Sequence, residues 1–318
     1  VTRDGWVDRV ARFAAGARDA SFEELAWGLH RWQRGRDPVL AAFAADAPLD
    51  GDWRRIPAVP VDLFRDPGIG RPGGVTFRTS GTTGGRGAHH LADTRLYDAT
   101  SPRWADACVP GRPRRTVALL ASPAEAPDSS LSHMVALLGE PVAWHVRGGR
   151  LDVPSLAALP PEPLFVPATA FALAEWLEAG PPTLPAGSIV MITGGYKGRI
   201  RRIEAADLVR ETRRALRPAR VVLEYGMTEL SSQLWGAPGA PFLPPPWLRA
   251  VAVDPAGDPV PAGVAGQLRF VDLCNVDAAV AIETMDHGAV GVDGAVTLHG
   301  RLAGAPLRGC SLPLEEAR

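Results

Sequence analysis

Five short apolar runs punctuate the middle of this chain: "TVALLAS" (116–122), "PVAWHV" (141–146), "PLFVPAT" (163–169), "SIVMITGG" (188–195) and "RVVLEYG" (220–226). Each is bounded by turn residues, and helical patterns at 130–138, 169–179 and 200–216 separate several of them. Strand–helix alternation of this kind predicts an α/β fold with a mainly parallel sheet flanked by helices. In such folds ligands bind beyond the carboxyl ends of the strands. Two glycine-containing segments begin there, directly after "VMIT" and "VLEY".

The flanks read differently. Residues 1–50 place apolar side chains at three- and four-residue intervals, the helical period, and Ser21 with Glu24 has the spacing of a capping box. A Pro/Gly-rich connection covers 56–74. From about 236 the chain turns β-rich, with two strands in 248–272 around a Pro/Gly turn and a hairpin through Asp293-Gly294. The expected organisation is a helical segment over 1–55, an α/β core over 56–235, a small β-rich subdomain over 236–300 and a hinge-like tail over 301–318.

Net charge is −1 over 318 residues, which argues against a nucleic-acid partner or a membrane surface. No apolar run has the length of a bilayer span, and "VTRDGWVDRV" lacks the apolar core of a signal peptide, so a cytoplasmic protein is expected. Cys108, Cys274 and Cys310 are too far apart for a zinc motif and are expected as thiols. Arginine outnumbers lysine 33 to one, and asparagine also occurs once. That bias fits a GC-rich coding sequence. Arginine replaces lysine on most surfaces but not where a compact ammonium is needed, so Lys197, in "GGYKGR", carries more information than an ordinary lysine. Asn275 carries similar information.

Three segments have the chemistry of a nucleotide site. "TSGTTGGRG" (79–87) crowds hydroxyls and glycines, which lets backbone N–H groups wrap phosphate oxygens; the alternative is a flexible surface turn. "EYGMTEL" (224–230) sets a hydroxyl beside a carboxylate after a strand, suited to a phosphate oxygen and a magnesium ion; the alternative is a helix start capped by Thr228. "ETMDHG" (283–288) offers an Asp beside a turn for ribose hydroxyls; the alternative is an Asp-led loop turn.

Taken in this order, with Gly300-Arg301 after them and "GVAGQLRF" (263–270) between, these motifs resemble the adenylate-forming superfamily of acyl-CoA synthetases, peptide-synthetase adenylation domains and luciferases. Within it, "FRTSGTTGGRGAHH", "TGGYKGR", "YGMTELSSQ" and the terminal "LRGCSL" resemble the acyl-protein synthetase of the bacterial bioluminescence pathway, a long-chain fatty acid–protein ligase. The resemblance implies ATP and Mg2+ as cofactors, with Thr79, Ser80, Gly81, Thr82, Thr83 and Gly84 around the phosphates. It implies Gly194 and Gly195 against the adenine and the substrate carboxyl, Tyr225 and Gly226 at the adenine, Thr228 at the α-phosphate and Glu229 on magnesium. Asp286 would hold the ribose with Arg301 near it, and Cys310 would accept the acyl group before its transfer to a reductase partner. Two departures stand out: Arg86-Gly87 replaces the superfamily's Pro-Lys, and the mobile C-terminal domain with its catalytic lysine is expected to be absent or reduced.

The expected reaction is attack of a carboxylic acid, fatty or other acyl, on the α-phosphate of ATP, then acyl transfer to a thiol. Two anions must meet, so positioning and charge neutralisation dominate. Lys197 is the candidate cation. Alternatives are a ligase using coenzyme A, a carrier protein or an amine as acceptor, and a non-catalytic nucleotide-binding subunit. His133 is a candidate beside the acyl carboxyl, with a plain core or surface role weighed equally. His89-His90 lack partners spaced for a metal and are expected on the surface or in a loop. Cys108 and Cys274 are expected as small buried side chains.

Overall fold

All five apolar runs become the parallel interior of one sheet. The computed structural model describes residues 1–65, 69–70, 73–79, 86–194 and 205–302. The chain opens with α1 (Arg3–Ala14), α2 (Phe22–Arg34) and α3 (Pro38–Phe43), then the short strand β1 (Val59–Pro60) and the hairpin β2 (Val75–Arg78) and β3 (Ala88–Leu91). Next come α4 (Arg95–Cys108), β4 (Thr116–Ala121), α5 (Ser130–Leu138), β5 (Val142–Arg147), β6 (Arg150–Leu151) and β7 (Phe165–Thr169). They are followed by α6 (Ala170–Glu178), β8 (Ile189–Thr193), α7 (Ala205–Leu216), β9 (Arg220–Tyr225) and β10 (Leu234–Gly236). The last four strands are β11 (Leu248–Val253), β12 (Ala265–Asp272), β13 (Ala281–Val290) and β14 (Val296–Arg301).

The larger sheet runs β10-β9-β8-β7-β4-β5-β6, with β9, β8, β7, β4 and β5 parallel and the two outermost strands antiparallel. Its middle strands β7 and β8 are buried at every residue, which is why they read as unbroken apolar runs. Alternate residues serve opposite faces. Val190, Ile192, Val221 and Leu223 join α6 and α7 in one core, while Ile189, Met191 and Val222 join α4 and α5 in another. The sheet's register aligns Thr169 with Thr193, and Thr193 with Glu224, so these polar residues form one row at the carboxyl edge.

The smaller sheet runs β1-β13-β12-β11, with β14 on β13. Helices α1 and α2 cover it through Trp6, Leu25 and Trp27 against Trp247, Val251, Val271 and Leu273. Ser21 and Glu24 close a reciprocal capping box at the start of α2. Arg3 ties α1 down through Asp277 (2.6 Å) and Asp93 (2.6 Å).

Three expectations change. "ETMDHG" is no loop turn: Asp286 lies inside β13, opposite Arg301 of β14. Thr228 caps no helix, because the chain after β9 makes a turn closed by Leu230 N–H to Met227 O (3.1 Å) and then enters β10. Helix α4 has no counterpart in the sequence reading, since Pro102 lies inside it and disguises its period.

Candidate functional site

Strand alternation splits the end of β9. Tyr225 turns to one face, where its phenol donates to Asp286 Oδ2 (2.8 Å) and its ring meets Phe270 (5.7 Å between centroids) and Phe242 (6.0 Å). Burial, reinforced by the Asp286 charge, raises the phenol well above its ordinary range. Asp286 Oδ1 faces Arg301 Nε at 3.3 Å, and the Asp286 main-chain N–H donates to Thr284 Oγ1 (3.0 Å). Tyr225, Asp286 and Arg301 are therefore contiguous.

Glu224 turns to the other face, where Thr193 Oγ1 donates to its Oε2. Burial pushes this carboxyl up to about 7, with the Thr193 hydrogen bond opposing. The chain leaves β8 at Gly194 with φ +95°, a left-handed conformation that favours glycine. Past β9, a Cβ on Gly226 would meet Glu224 Oε1 at 2.5 Å, so the missing side chain is what lets the carboxylate lie over the backbone.

The Thr228–Glu229 turn is held by buried polar groups. His89 Nδ1–H donates to Thr228 O (2.8 Å). Asn275, fully buried, donates to Glu229 O (2.8 Å) and Ala279 O (3.1 Å) and accepts from Ser231 N–H (2.9 Å). Asp272 takes Ser231 N–H (3.0 Å), Ser232 Oγ–H (2.8 Å) and Cys274 N–H (2.9 Å), and burial still pushes its carboxyl up to about 6. Across from this turn, the neck of the 79–87 segment is tied by Thr79 N–H to Gly87 O (2.9 Å) and Gly87 N–H to Thr79 Oγ1 (2.8 Å). Arg86 braces it through Thr79 O (2.6 Å) and Asp128 (2.7 Å).

A Cβ on Gly87 would lie 3.2 Å from Thr79 Cγ2 and 3.6 Å from Glu229 Oε1, so the Thr79 side chain and this carboxylate both border the neck. A carboxylate oxygen beside a glycine-lined backbone fits a hard, oxygen-seeking cation such as magnesium. Among the described residues no group of three or more His, Cys, Asp or Glu side chains could hold a metal ion by itself.

The structure thus gathers Thr79, Gly194, Tyr225, Gly226, Thr228, Glu229, Asp286 and Arg301 around the strand ends. Ser80, Gly81, Thr82, Thr83, Gly84, Gly195, Lys197 and Cys310 lie outside the described residues. His133 is on the Glu224 face, bonded through Nε2 to Asp98 Oδ1 (2.7 Å) and packed on Phe77 (5.4 Å) and Tyr97 (5.5 Å). His89 corrects the expected surface placement: it is fully buried in β3 against Phe64, and burial lowers its imidazole to about 4. Cys274 is buried. Cys108 is only half-buried, and burial pushes its thiol up to about 11, away from nucleophile behaviour. Sequence reasoning passed over Glu224, Gln233 and Tyr97, and gave Asn275 no role. The only available signals were a charge ending an apolar run and the chain's single asparagine.

No family model matches this chain, and no curated protein does. Solved structures do. VinN is similar at 18% identity and TM-score 0.51, over 71% of this chain and 60% of VinN. ATP-bound MatB from Rhodopseudomonas palustris is similar at 18% identity and TM-score 0.53, over 82% of this chain and 52% of MatB. O-succinylbenzoate coenzyme A synthetase, MenE, from Bacillus subtilis in complex with AMP is similar at 17% identity and TM-score 0.50, over 72% of this chain and 62% of MenE. The chain therefore spans about half to three-fifths of these proteins and shares their fold. No helix among the described residues is long and apolar enough to cross a membrane.

Proposed function

We propose that this chain activates a carboxylic acid with ATP. A carboxylate oxygen of the acid attacks the α-phosphorus, the bond to the β-phosphate's bridging oxygen breaks, and pyrophosphate leaves an acyl-adenylate behind. The observation that carries this reading is the convergence of three sequence-distant pieces on one sheet edge: the Thr79–Gly87 neck, the Thr228–Glu229 turn, and the Tyr225–Asp286–Arg301 group. Their chemistry matches phosphate, magnesium and nucleoside in that order. Among neighbours of the same fold, one solved structure holds ATP and another AMP.

In this reading Glu229 would hold Mg2+, which neutralises phosphate charge when bound. Thr79, with Ser80, Thr82 and Thr83 beyond it, orients the phosphates. Tyr225 lies beside the adenine, and Asp286, held by Tyr225 and Arg301, takes the ribose hydroxyls. His133 lies on the acid's side, beyond Glu224 and Tyr97. Lys197 supplies a compact positive charge for the two meeting anions. Replacing it with alanine lowers exchange strongly, and with arginine less so; wild-type rates in both variants reject that role. Transfer then follows: a thiolate attacks the acyl carbonyl carbon, the carbon–oxygen bond to AMP breaks, and AMP leaves. Cys310 is the internal acceptor, as in an acyl-protein synthetase, and a reductase or carrier protein is the next recipient. Coenzyme A is the competing acceptor, and MenE, of the same fold, is a coenzyme A synthetase.

The deciding experiment is ATP–pyrophosphate exchange over a panel of carboxylic acids. Exchange dependent on one class of acid is expected. Nucleotide binding without exchange on any acid overturns the proposal in favour of a non-catalytic subunit. Intact mass after incubation with ATP and the active acid shows whether Cys310 carries a hydroxylamine-labile acyl group.

A further inference from the structure

We propose that Glu224 is a specificity-determining carboxylate that binds an ammonium group on the substrate, so that the acid activated here carries an amine. The inference rests on the adenylation reading and gives it a substrate class.

The first ground is position. Glu224 stands at the carboxyl end of β9, between Thr193 and the nucleotide-side Tyr225, on the sheet face that also carries His133. Its side chain is more than nine-tenths buried (6% exposed). One oxygen, Oε2, takes the Thr193 hydroxyl, while among the described residues Oε1 accepts no hydrogen bond and lies over Gly226.

The second ground is the contrast with Asp272, the other buried carboxylate of this region. Asp272 is fully buried and receives two backbone N–H groups and a serine hydroxyl, the pattern of a carboxylate that organises a turn. Among the described residues Glu224 receives one hydroxyl. Burying a carboxylate with so little compensation is costly, and a bound cation would relieve that cost.

The third ground is the sign of the surroundings. The neighbouring phenol of Tyr97 is raised by burial and then by the charges of Glu224, Asp98 and Asp272 together. Tyr97 OH accepts from Gln233 Nε2 (2.8 Å) and donates to Ser130 O (3.3 Å), and the Gln233 side chain passes Gly226 with its Cγ 3.5 Å from where a Cβ would stand. Among the described residues on this face, His133 is a cation-capable group, and Asp98 engages it. Acceptors set among the rings of Phe77 and Tyr97 suit an ammonium, which offers three donors and a full charge. An aliphatic tail offers this buried carboxylate no donor and no charge, so this face argues against the long-chain fatty acid that the sequence resemblance implies.

The test uses matched pairs of acids that differ only in a primary amine, such as β-alanine with propanoate and aminobenzoates with benzoate, beside a fatty-acid series. In exchange assays the wild-type protein is expected to prefer the amine member by about a hundredfold or more in kcat/KM. Glu224→Gln is expected to lower kcat/KM for the amine acid by about a hundredfold, mostly through KM, and to leave the des-amino partner within a few-fold. Fatty acids preferred by the wild type, or equal losses for both members of a pair in the variant, overturn the inference while adenylation stands. Where no acid supports exchange, adenylation itself fails. Calorimetric binding of the same pairs then still decides the role of Glu224: amine-selective binding lost in Glu224→Gln upholds it, and unselective or absent binding rejects it. Unfolding curves of the variant confirm that it is folded.

Discussion

Glu224→Gln should make the protein more stable in base and leave it unchanged in acid. The folded chain holds the Glu224 carboxyl at about 7 against an ordinary 4.5, because burial disfavours the ionised form. A folded value above the unfolded one means that the fold keeps its proton longer. Stability linked to this group is therefore complete below about 4.5 and is lost as pH rises to about 7. At about 1.4 kcal/mol for each pH unit, the wild type loses about 3 kcal/mol across that window. Glutamine keeps an acceptor for Thr193 and has no charge to bury, so the variant escapes the loss. Urea unfolding followed by tryptophan fluorescence should give coincident curves for the two proteins near pH 4. At pH 8 the variant's midpoint should lie about 1 M higher, given a slope of about 3 kcal/mol per molar urea for a chain of this size. Curves that differ equally at both pH values, or a variant less stable at pH 8, refute the argument, since the first shows a difference that does not titrate and the second an ionised Glu224 that the fold compensates.

Asn275→Ala strips hydrogen bonds from the buried carbonyls of Glu229 and Ala279, so unfolding measurements should show a loss of about 2–4 kcal/mol, and exchange should fall with it as Glu229 shifts. Asp286→Ala should raise KM for ATP at least tenfold in the exchange assay, whereas Tyr225→Phe, which removes only one hydrogen bond to that carboxylate, should raise it a few-fold. Glu229→Gln should shift the magnesium concentration for half-maximal exchange upward, and an excess of chelator should abolish exchange in the wild type. Gly226→Ala places a methyl group 2.5 Å from Glu224 Oε1 and forces the carboxylate aside, so KM for the acid should rise more than KM for ATP.

What could be read from the sequence follows a physical divide. The parallel sheet was visible because β7 and β8 are buried on both faces and therefore apolar throughout, and the capping box of α2 was visible because its two hydrogen bonds join residues three apart. Local signals failed where the deciding contact is distant. Asp286 looks like a turn residue until Arg301 beside it in the sheet and Tyr225 of the other sheet are seen. His89 looks exposed until β3 buries it against Phe64 and the Thr228 carbonyl. Helix α4 was hidden by Pro102, a residue that single-sequence reasoning treats as a stop.

The dipeptide Glu224-Tyr225 shows how much one strand end can decide. Successive side chains of a strand leave on opposite faces, so a single peptide step sends a carboxylate toward Thr193, Tyr97 and the His133 side, and a phenol toward Asp286 and Arg301. On the proposed reading the first is the acid's side and the second is the nucleotide's, and β9 is the wall between them. The two recognition surfaces are then coupled by register and not by any direct contact. Inserting or deleting one residue within β9 would exchange the faces and place the anion against the ribose-binding carboxylate, where Asp286 would repel it. The parity of this strand is thus under the same chemical constraint as the identity of its residues.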